Sequence, residues 1–302
     1  MSLFRLENQY LMLTVSSLGG SVLALRAKNT GEGVDLLRPC AQDEQTPAAQ
    51  SGCFPLVPFG NRVKGNAFTY GGEHYRLQPN TADAHYLHGD GWLASWECLE
   101  HCAERLVLAF EHQDENYHYR AQQTFELRGS ELMLSLAVTN LAAAPMPFGL
   151  GWHPFFPLSN DTLLTASTCG YWLEDTQFLS GQFQPVTPPE LDFSTASTLP
   201  RHWVNNGLSG WDGRATVCWP AKCQRLHLTT TPPCPVLFLF LSDPEFDPEY
   251  CFDFFCIEPM SHAANAHHLP DLGGLVPLSQ GESLTQNMRL RSEVALTDSL
   301  VS

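Results

Sequence analysis

Four short polar clusters interrupt a strongly apolar chain, and each holds a side chain able to bind or move a proton. In Pro58-Phe59-Gly60-Asn61-Arg62-Val63 an apolar stretch ends in an amide and a guanidinium. The Arg62 fork can donate several hydrogen bonds to substrate oxygens, although an arginine after a turn is commonly a surface group. In Leu87-His88-Gly89-Asp90-Gly91-Trp92 the glycines permit close backbone approach to His88, which can donate, accept or carry a proton or simply cap a turn. In Gly149-Leu150-Gly151-Trp152-His153-Pro154-Phe155-Phe156 the proline holds His153 on extended backbone. Its aromatic neighbours, Trp152 among them, offer an apolar wall that lowers an imidazole pKa and flat faces for the C–H groups of a sugar ring. The alternative is a core histidine bonded to a carbonyl. In Phe254-Phe255-Cys256-Ile257-Glu258-Pro259-Met260-Ser261-His262 one carboxylate follows an apolar run. Desolvation lifts such a group above its usual ~4.3, the direction a general base needs, unless it is merely paired with a backbone turn.

Other chemistries find little support. His262, His267 and His268 share one loop, and Cys218/Cys223 and Cys251/Cys256 are spaced pairs, but none has a CxxC or HExxH arrangement. No metal site is expected. The chain also lacks GxxxxGK[ST], GxGxxG and GxSxG, the signatures of nucleotide binding and of serine hydrolases. A net charge of −16 repels phosphate backbones and anionic lipid, which argues against nucleic acid, membrane or a polyphosphorylated substrate. A small neutral ligand fits better.

The elements that must position these clusters read as strands. Leu132, Leu134, Leu136 and Val138 share one face of an alternating segment. Similar patterns run through Gln9–Val15, Ser21–Arg26, Arg105–Glu111, Tyr119–Leu127, Ala215–Trp219, Arg225–Thr230 and Leu284–Leu290. Val236–Leu241 and Phe252–Ile257 are apolar on both faces, as strands deep in a sheet stack are. Gly71-Gly72 predicts a tight hairpin, and Asp114-Glu115-Asn116 and Arg128-Gly129-Ser130 predict two more reversals. Gly181–Leu199, rich in Pro, Ser and Thr, reads as a loop. No repeat period is visible, and the whole, residues 1–302, is expected to be one all-β domain, a large antiparallel β-sandwich. At 302 residues, 43% hydrophobic, it can bury a core without disulfides. The first residues lack a signal-peptide pattern, and the longest apolar run, Val236–Leu241, falls far short of the ~20 residues that span a bilayer. The reading is a cytoplasmic protein whose ten cysteines are mostly free and buried.

Taken in order, FPLVPFGNRV at Phe54–Val63, YLHGDGW at Tyr86–Trp92, GWHPFF at Gly151–Phe156 and CIEPMSH at Cys256–His262 resemble the aldose 1-epimerase (galactose mutarotase) family. The WHP and EP forms are most similar to its bacterial mutarotase-like subgroup. The resemblance covers most of the chain and implies a β-supersandwich with a sugar cleft. It further implies Glu258 as general base and His153 as general acid, with His88, Arg62 and Asn61 holding ring and hydroxyl oxygens; Trp152, from the aromatic wall beside His153, is expected among the binding residues. The family's additional substrate-binding Asp should fall within Trp203–Asp212. There Asn205 occupies its place and Asp212 comes later, a departure that bears on sugar preference more than on the reaction.

Exchange of anomers requires removal of the O1 proton and protonation of the ring oxygen, then rotation about C1–C2 and the reverse transfer. One sugar's own oxygens leave and attack, so no cofactor or metal is called for, and a carboxylate with an imidazole suffices. The expected partner is therefore a free aldose monosaccharide, taken by a monomer or homodimer. The rivals are a non-catalytic carbohydrate-binding protein on the same fold, a hexose-6-phosphate mutarotase, which should show extra cations beyond Arg62 and Lys64, and a glycoside hydrolase, which needs a second carboxylate, with Asp90 the nearest guess.

Overall fold

The computed structural model describes residues 1–28 and 33–295. The last residues of the expected 1–302 domain, 296–302, lie outside the described residues. Among the described residues the regular structure is β-strand with a few short 3-10 turns, and every strand ladder is antiparallel. This is the expected sandwich. An 11-stranded sheet and a 9-stranded sheet carry most of the chain.

The predicted turns close as their residues require. Ala67–Tyr70 pairs with Glu73–Arg76 across Gly71 and Gly72, both at positive φ, the geometry of a two-residue hairpin whose twist matches its strands. His118–Arg128 and Glu131–Asn140 pair across Gly129, also at positive φ. Asp114 Oδ1 accepts from the amides of Asn116 and Tyr117 at 2.7 and 2.6 Å, which fixes the third reversal. Gly181–Leu199 is not wholly a loop: Ser180–Gln184 is an edge strand paired with Tyr171–Glu174. Its low β-propensity is overridden by the ladder beside it. All ten cysteines are free as expected, but only Cys53, Cys218, Cys234 and Cys256 are buried, and Cys98, Cys102, Cys169 and Cys251 are exposed. Their positions lie outside the core faces.

Five consecutive strands of the larger sheet hold the site, in the order Cys53–Leu56, Gly151–Pro157, Phe254–Met260, Val236–Leu241 and Val204–Ser209. Their apolarity on both faces has a simple cause. One face, with Trp152, Phe156, Phe255, Ile257, Leu237 and Leu239, joins the core shared with the second sheet. The other, with Phe54, Phe155, Phe238, Cys256 and Met260, packs a smaller cluster under the loops.

Candidate active site

Pairing of Gly151 with Met260 and of Phe155 with Cys256 sets His153 opposite Glu258. His153 also pairs with Phe54, and Glu258 with Phe238. A row Phe54–His153–Glu258–Phe238 thus crosses the outer face of the sheet. Asn205 lies beside Phe240 in the adjoining row. Glu258 therefore sits within its strand, Phe254–Met260, and not after it as the pattern suggested, because the sheet face it joins is the one lining a cleft.

His153 Nε2 lies 3.2 Å from Glu258 Oε1, with the two residues 8% and 2% exposed. The imidazole packs beside two rings, Phe54 at 4.6 Å and 22° and Phe155 at 4.5 Å and 30°, whose own centroids are 6.1 Å apart. Arg38 caps the other face of Phe155 at 3.8 Å. Burial pushes the Glu258 carboxyl up to about 8, with Arg62 pulling it partly back. Burial, assisted by the Arg38 charge, pushes His153 down to about 3. The exchangeable proton of the pair therefore rests on the carboxyl near neutral pH, against a neutral imidazole that keeps its one ring N–H. Glu258 Oε2 and His153 Nδ1 are buried with no hydrogen-bond partner among the described residues. Orphaned polar atoms at this depth are rare in folded proteins, and here both belong to the same pair.

The remaining residues converge on that pair. His88, at φ 59°, presents its ring edge-on to His153 at 5.3 Å. The Asn61 backbone N–H donates to His88 Nδ1 at 3.1 Å, and the His88 backbone N–H donates to Asn61 O at 3.0 Å. A backbone N–H can only donate, so Nδ1 carries no proton. Burial first, then the proximity of His153 and the Arg62 charge, holds His88 well below the usual imidazole range, and the neutral ring must keep its hydrogen on Nε2. His88 is thereby a hydrogen-bond donor. One ligand atom each from His88, His153 and Glu258 lie within 4.8 Å of one another, a metal-like grouping, but with Nδ1 engaged and Nε2 protonated His88 has no lone pair to offer. The residues fit a hydroxylated ligand better than a cation.

Arg62 is aimed by Asp83, whose Oδ2 accepts from Nε at 3.1 Å and from Nη2 at 2.9 Å. Asn205 directs its amide nitrogen to Glu174 Oε2 at 2.6 Å and to Phe178 O at 3.3 Å. A cavity of about 110 Å³ is lined by Asn61, Arg62, His88, His153, Asn205 and Glu258, with Phe238, Phe240, Trp203 and Phe246 as its apolar walls. Trp203 and Phe246 also border an outer cavity of about 440 Å³. Arg62 is the one cationic side chain lining the pocket among the described residues, and Lys64 faces a different cavity.

Two expected site residues are not there. Trp152 is fully buried, its indole donating to Gln123 Oε1 at 3.2 Å. Next to His153 on an extended strand, it must face the opposite side, into the core between the sheets. Asp212 is exposed in the turn after Val204–Ser209, where its Oδ1 accepts from the Arg214 amide at 3.0 Å. That turn carries the chain to the second sheet. Asp90, the guessed second carboxylate, is absent from the pocket lining; it accepts from the hydroxyls of Tyr86 and Tyr119. Of the loop histidines, His262 is structural: its Nε2 accepts from the Gly60 amide at 2.9 Å and its Nδ1 faces Ala263 O at 2.8 Å; His267 is buried against Phe59 and Phe68, and His268 is exposed. Asp83, Glu174, Phe238, Phe240 and Phe246 were not foreseen. Val236–Leu241 is apolar on both faces, so its sequence hides that Phe238 and Phe240 face the site; the others come from edges and loops with no periodicity.

His88 depends on its neighbour. Gly89 has φ +68°, and a Cβ there would lie 2.4 Å from Val57 O and 2.5 Å from Pro58 Cδ. Val57 O cannot retreat, because the amides of Asp90 and Gly91 both donate to it, at 3.1 and 3.0 Å. Gly89→Ala is expected to cost roughly 2–4 kcal/mol, from backbone strain and overpacking together. Denaturant titration would show it, and an unchanged midpoint would contradict the assignment.

The aldose 1-epimerase family model matches residues 2–291. The uncharacterized protein YphB of Escherichia coli (strain K12) is 48% identical over 294 residues, 97% of this chain and 99% of that one. A crystal structure from Escherichia coli K12, provisionally named an aldose 1-epimerase, superposes with a TM-score of 0.93 at 48% identity, covering 97% of this chain and 99% of its own. A galactose mutarotase-like protein of Clostridium acetobutylicum shares the fold, with a TM-score of 0.81 at 20% identity over 96% of this chain and 94% of its own.

Proposed function

Because the chain belongs to the aldose 1-epimerase family, we propose that it interconverts the α and β anomers of a free aldose, with His153 and Glu258 exchanging the protons. The observation that carries this reading is the 3.2 Å contact of a buried imidazole with a buried carboxyl at the floor of a pocket. At rest the proton lies on Glu258. Passed along the contact to His153 Nε2, it leaves a carboxylate beside an imidazolium. Glu258 then takes the O1 proton while His153 protonates the ring oxygen; C1–O5 breaks and C1=O1 forms. The pair is returned to its resting form, opposite the open-chain aldehyde. After rotation about C1–C2, His153 removes the C5 hydroxyl proton, the ring closes on the other carbonyl face, and Glu258 protonates O1. Both forms of the pair are used in each turnover, and no external cofactor enters the balance.

His88 Nε2–H and the Arg62 guanidinium supply donors to sugar oxygens, and Asn61 and Asn205 supply amides. A free aldose is favoured over a hexose 6-phosphate, since Arg62 is already paired with Asp83. Cytoplasmic residence belongs to the same reading; no helix among the described residues is long and apolar enough to cross a membrane.

Polarimetry of freshly dissolved α-galactose, corrected for spontaneous mutarotation and run from pH 5 to beyond pH 9, tests the proposal. Catalysis should be evident at pH 7. With Glu258 raised to about 8, the pair loses the proton it exchanges as pH rises through that value. The kcat/KM of the free enzyme is expected to fall on the alkaline side with an apparent pKa near 8 that belongs to the pair. A profile flat to the end of the range would remove the shared-proton mechanism, and no acceleration of any aldose would remove the activity.

A further inference from the structure

We propose that Glu174, on the strand Tyr171–Glu174, is a positioning residue that locks the Asn205 amide with its oxygen available to the pocket, so that this wall takes a sugar hydroxyl as a hydrogen-bond donor. The proposal rests on the sugar-binding reading above and names the polarity of one subsite within it.

An asparagine amide has a donor end and an acceptor end of nearly the same shape, and turning it over exchanges them. At Asn205 the surroundings choose. Glu174 Oε2 faces the amide nitrogen at 2.6 Å and Phe178 O faces it at 3.3 Å. Both oxygens can only accept. The turned-over amide would set its oxygen against a carboxylate and a carbonyl, with no proton between them. The same Oε2 also accepts from the Trp203 indole N–H at 2.9 Å, so one carboxylate oxygen anchors two residues that line the pocket. Asn205 is 6% exposed, and its Oδ1 has no partner among the described residues. Glu174 itself is exposed and does not line this pocket. It acts through Asn205, not on the ligand.

Fluorine in place of a hydroxyl can accept weakly but cannot donate, so galactose and its 2-, 3-, 4- and 6-deoxyfluoro derivatives report on the polarity of this wall. In the wild type, fluorine at the hydroxyl facing Asn205 should lower kcat/KM, and weaken Kd by equilibrium titration, about 3–10-fold, the worth of one hydrogen bond. In Glu174→Ala only Phe178 O, at the longer 3.3 Å, still faces the nitrogen; the amide can then turn that nitrogen to the fluorine, and the penalty should collapse to within about twofold. KM for galactose itself should rise with little change in kcat, the sign of lost uniform binding. Glu174→Gln keeps an acceptor oxygen and should retain the wild-type penalty. An equal penalty in Glu174→Ala and the wild type at every position would overturn the proposal. So would a folded Glu174→Gln with no turnover, which would make Glu174 catalytic. A wild type that binds the sugars without turning them over would sink the epimerase reading alone, since Kd still tests the lock; one that binds none of them would overturn both.

Discussion

Glu258→Gln should lower kcat/KM for mutarotation by about 10²–10⁴-fold, the usual worth of one positioned acid or base, while the protein becomes more stable. The substitution keeps shape and hydrogen-bonding atoms but abolishes proton exchange, so the loss should appear in kcat with KM little changed. The gain in stability follows from burial. Glu258 is 2% exposed with one oxygen unpartnered, and its carboxyl is raised to about 8. Between the ordinary carboxylate range and that value the unfolded chain releases this proton and the folded chain retains it, so the group's contribution to stability falls as pH rises. Gln does not titrate. Its advantage in Tm should therefore be small near pH 4 and grow toward pH 8. Calorimetry at two pH values with polarimetry at neutrality checks both halves. A variant that turns over at the wild-type rate would end the assignment, and an advantage shrinking with pH would contradict the buried, protonated carboxyl.

His153→Asn should lower kcat/KM by a similar ~10²–10⁴-fold, with the opposite effect on stability. Asn offers an amide where the imidazole stood but cannot pass a proton between Glu258 and the ring oxygen. It also leaves the space beside Phe54 and Phe155 underfilled, so Tm should fall. The pair acts as a unit, and groups that act as a unit lose their effects non-additively. The double variant should be scarcely slower than either single one, whereas multiplied losses would mean that the two groups work in separate steps. Acid lability gives a further check on the site. With His153 held down to about 3, the unfolded chain binds a proton that the folded chain refuses below the usual imidazole range. Stability drawn from this group is present above that range and is lost as pH falls toward 3; His153→Asn should flatten that part of the curve.

The parts of the site that were legible share a local cause. His153 precedes a proline, Glu258 is the lone carboxylate of an apolar run, His88 adjoins Gly89, and Arg62 follows Gly60-Asn61 at the end of an apolar stretch. Trp152 shows where such reading fails. On most strands alternation reveals which neighbour faces the core, but Gly151–Pro157 is buried almost throughout, and a strand apolar on both faces hides its own parity. Asp212 failed differently: it lies past Gly210, at φ 65°, in the turn to the second sheet and not on the strand Val204–Ser209. Glu174 and Asp83 left no local trace, since each matters only through the side chain it holds.

By itself, the sequence determined the strands, the tight turns, the all-β class and the kinds of groups available for proton transfer, because these depend on neighbours within a few residues. Tertiary structure alone decided that His153 stands opposite Glu258, that the proton of the pair rests on the carboxyl, that His88 donates from Nε2, and which end of Asn205 is free. Those outcomes depend on register between strands far apart in the chain and on the water excluded when the sheet face is covered, and no stretch of residues encodes either one locally.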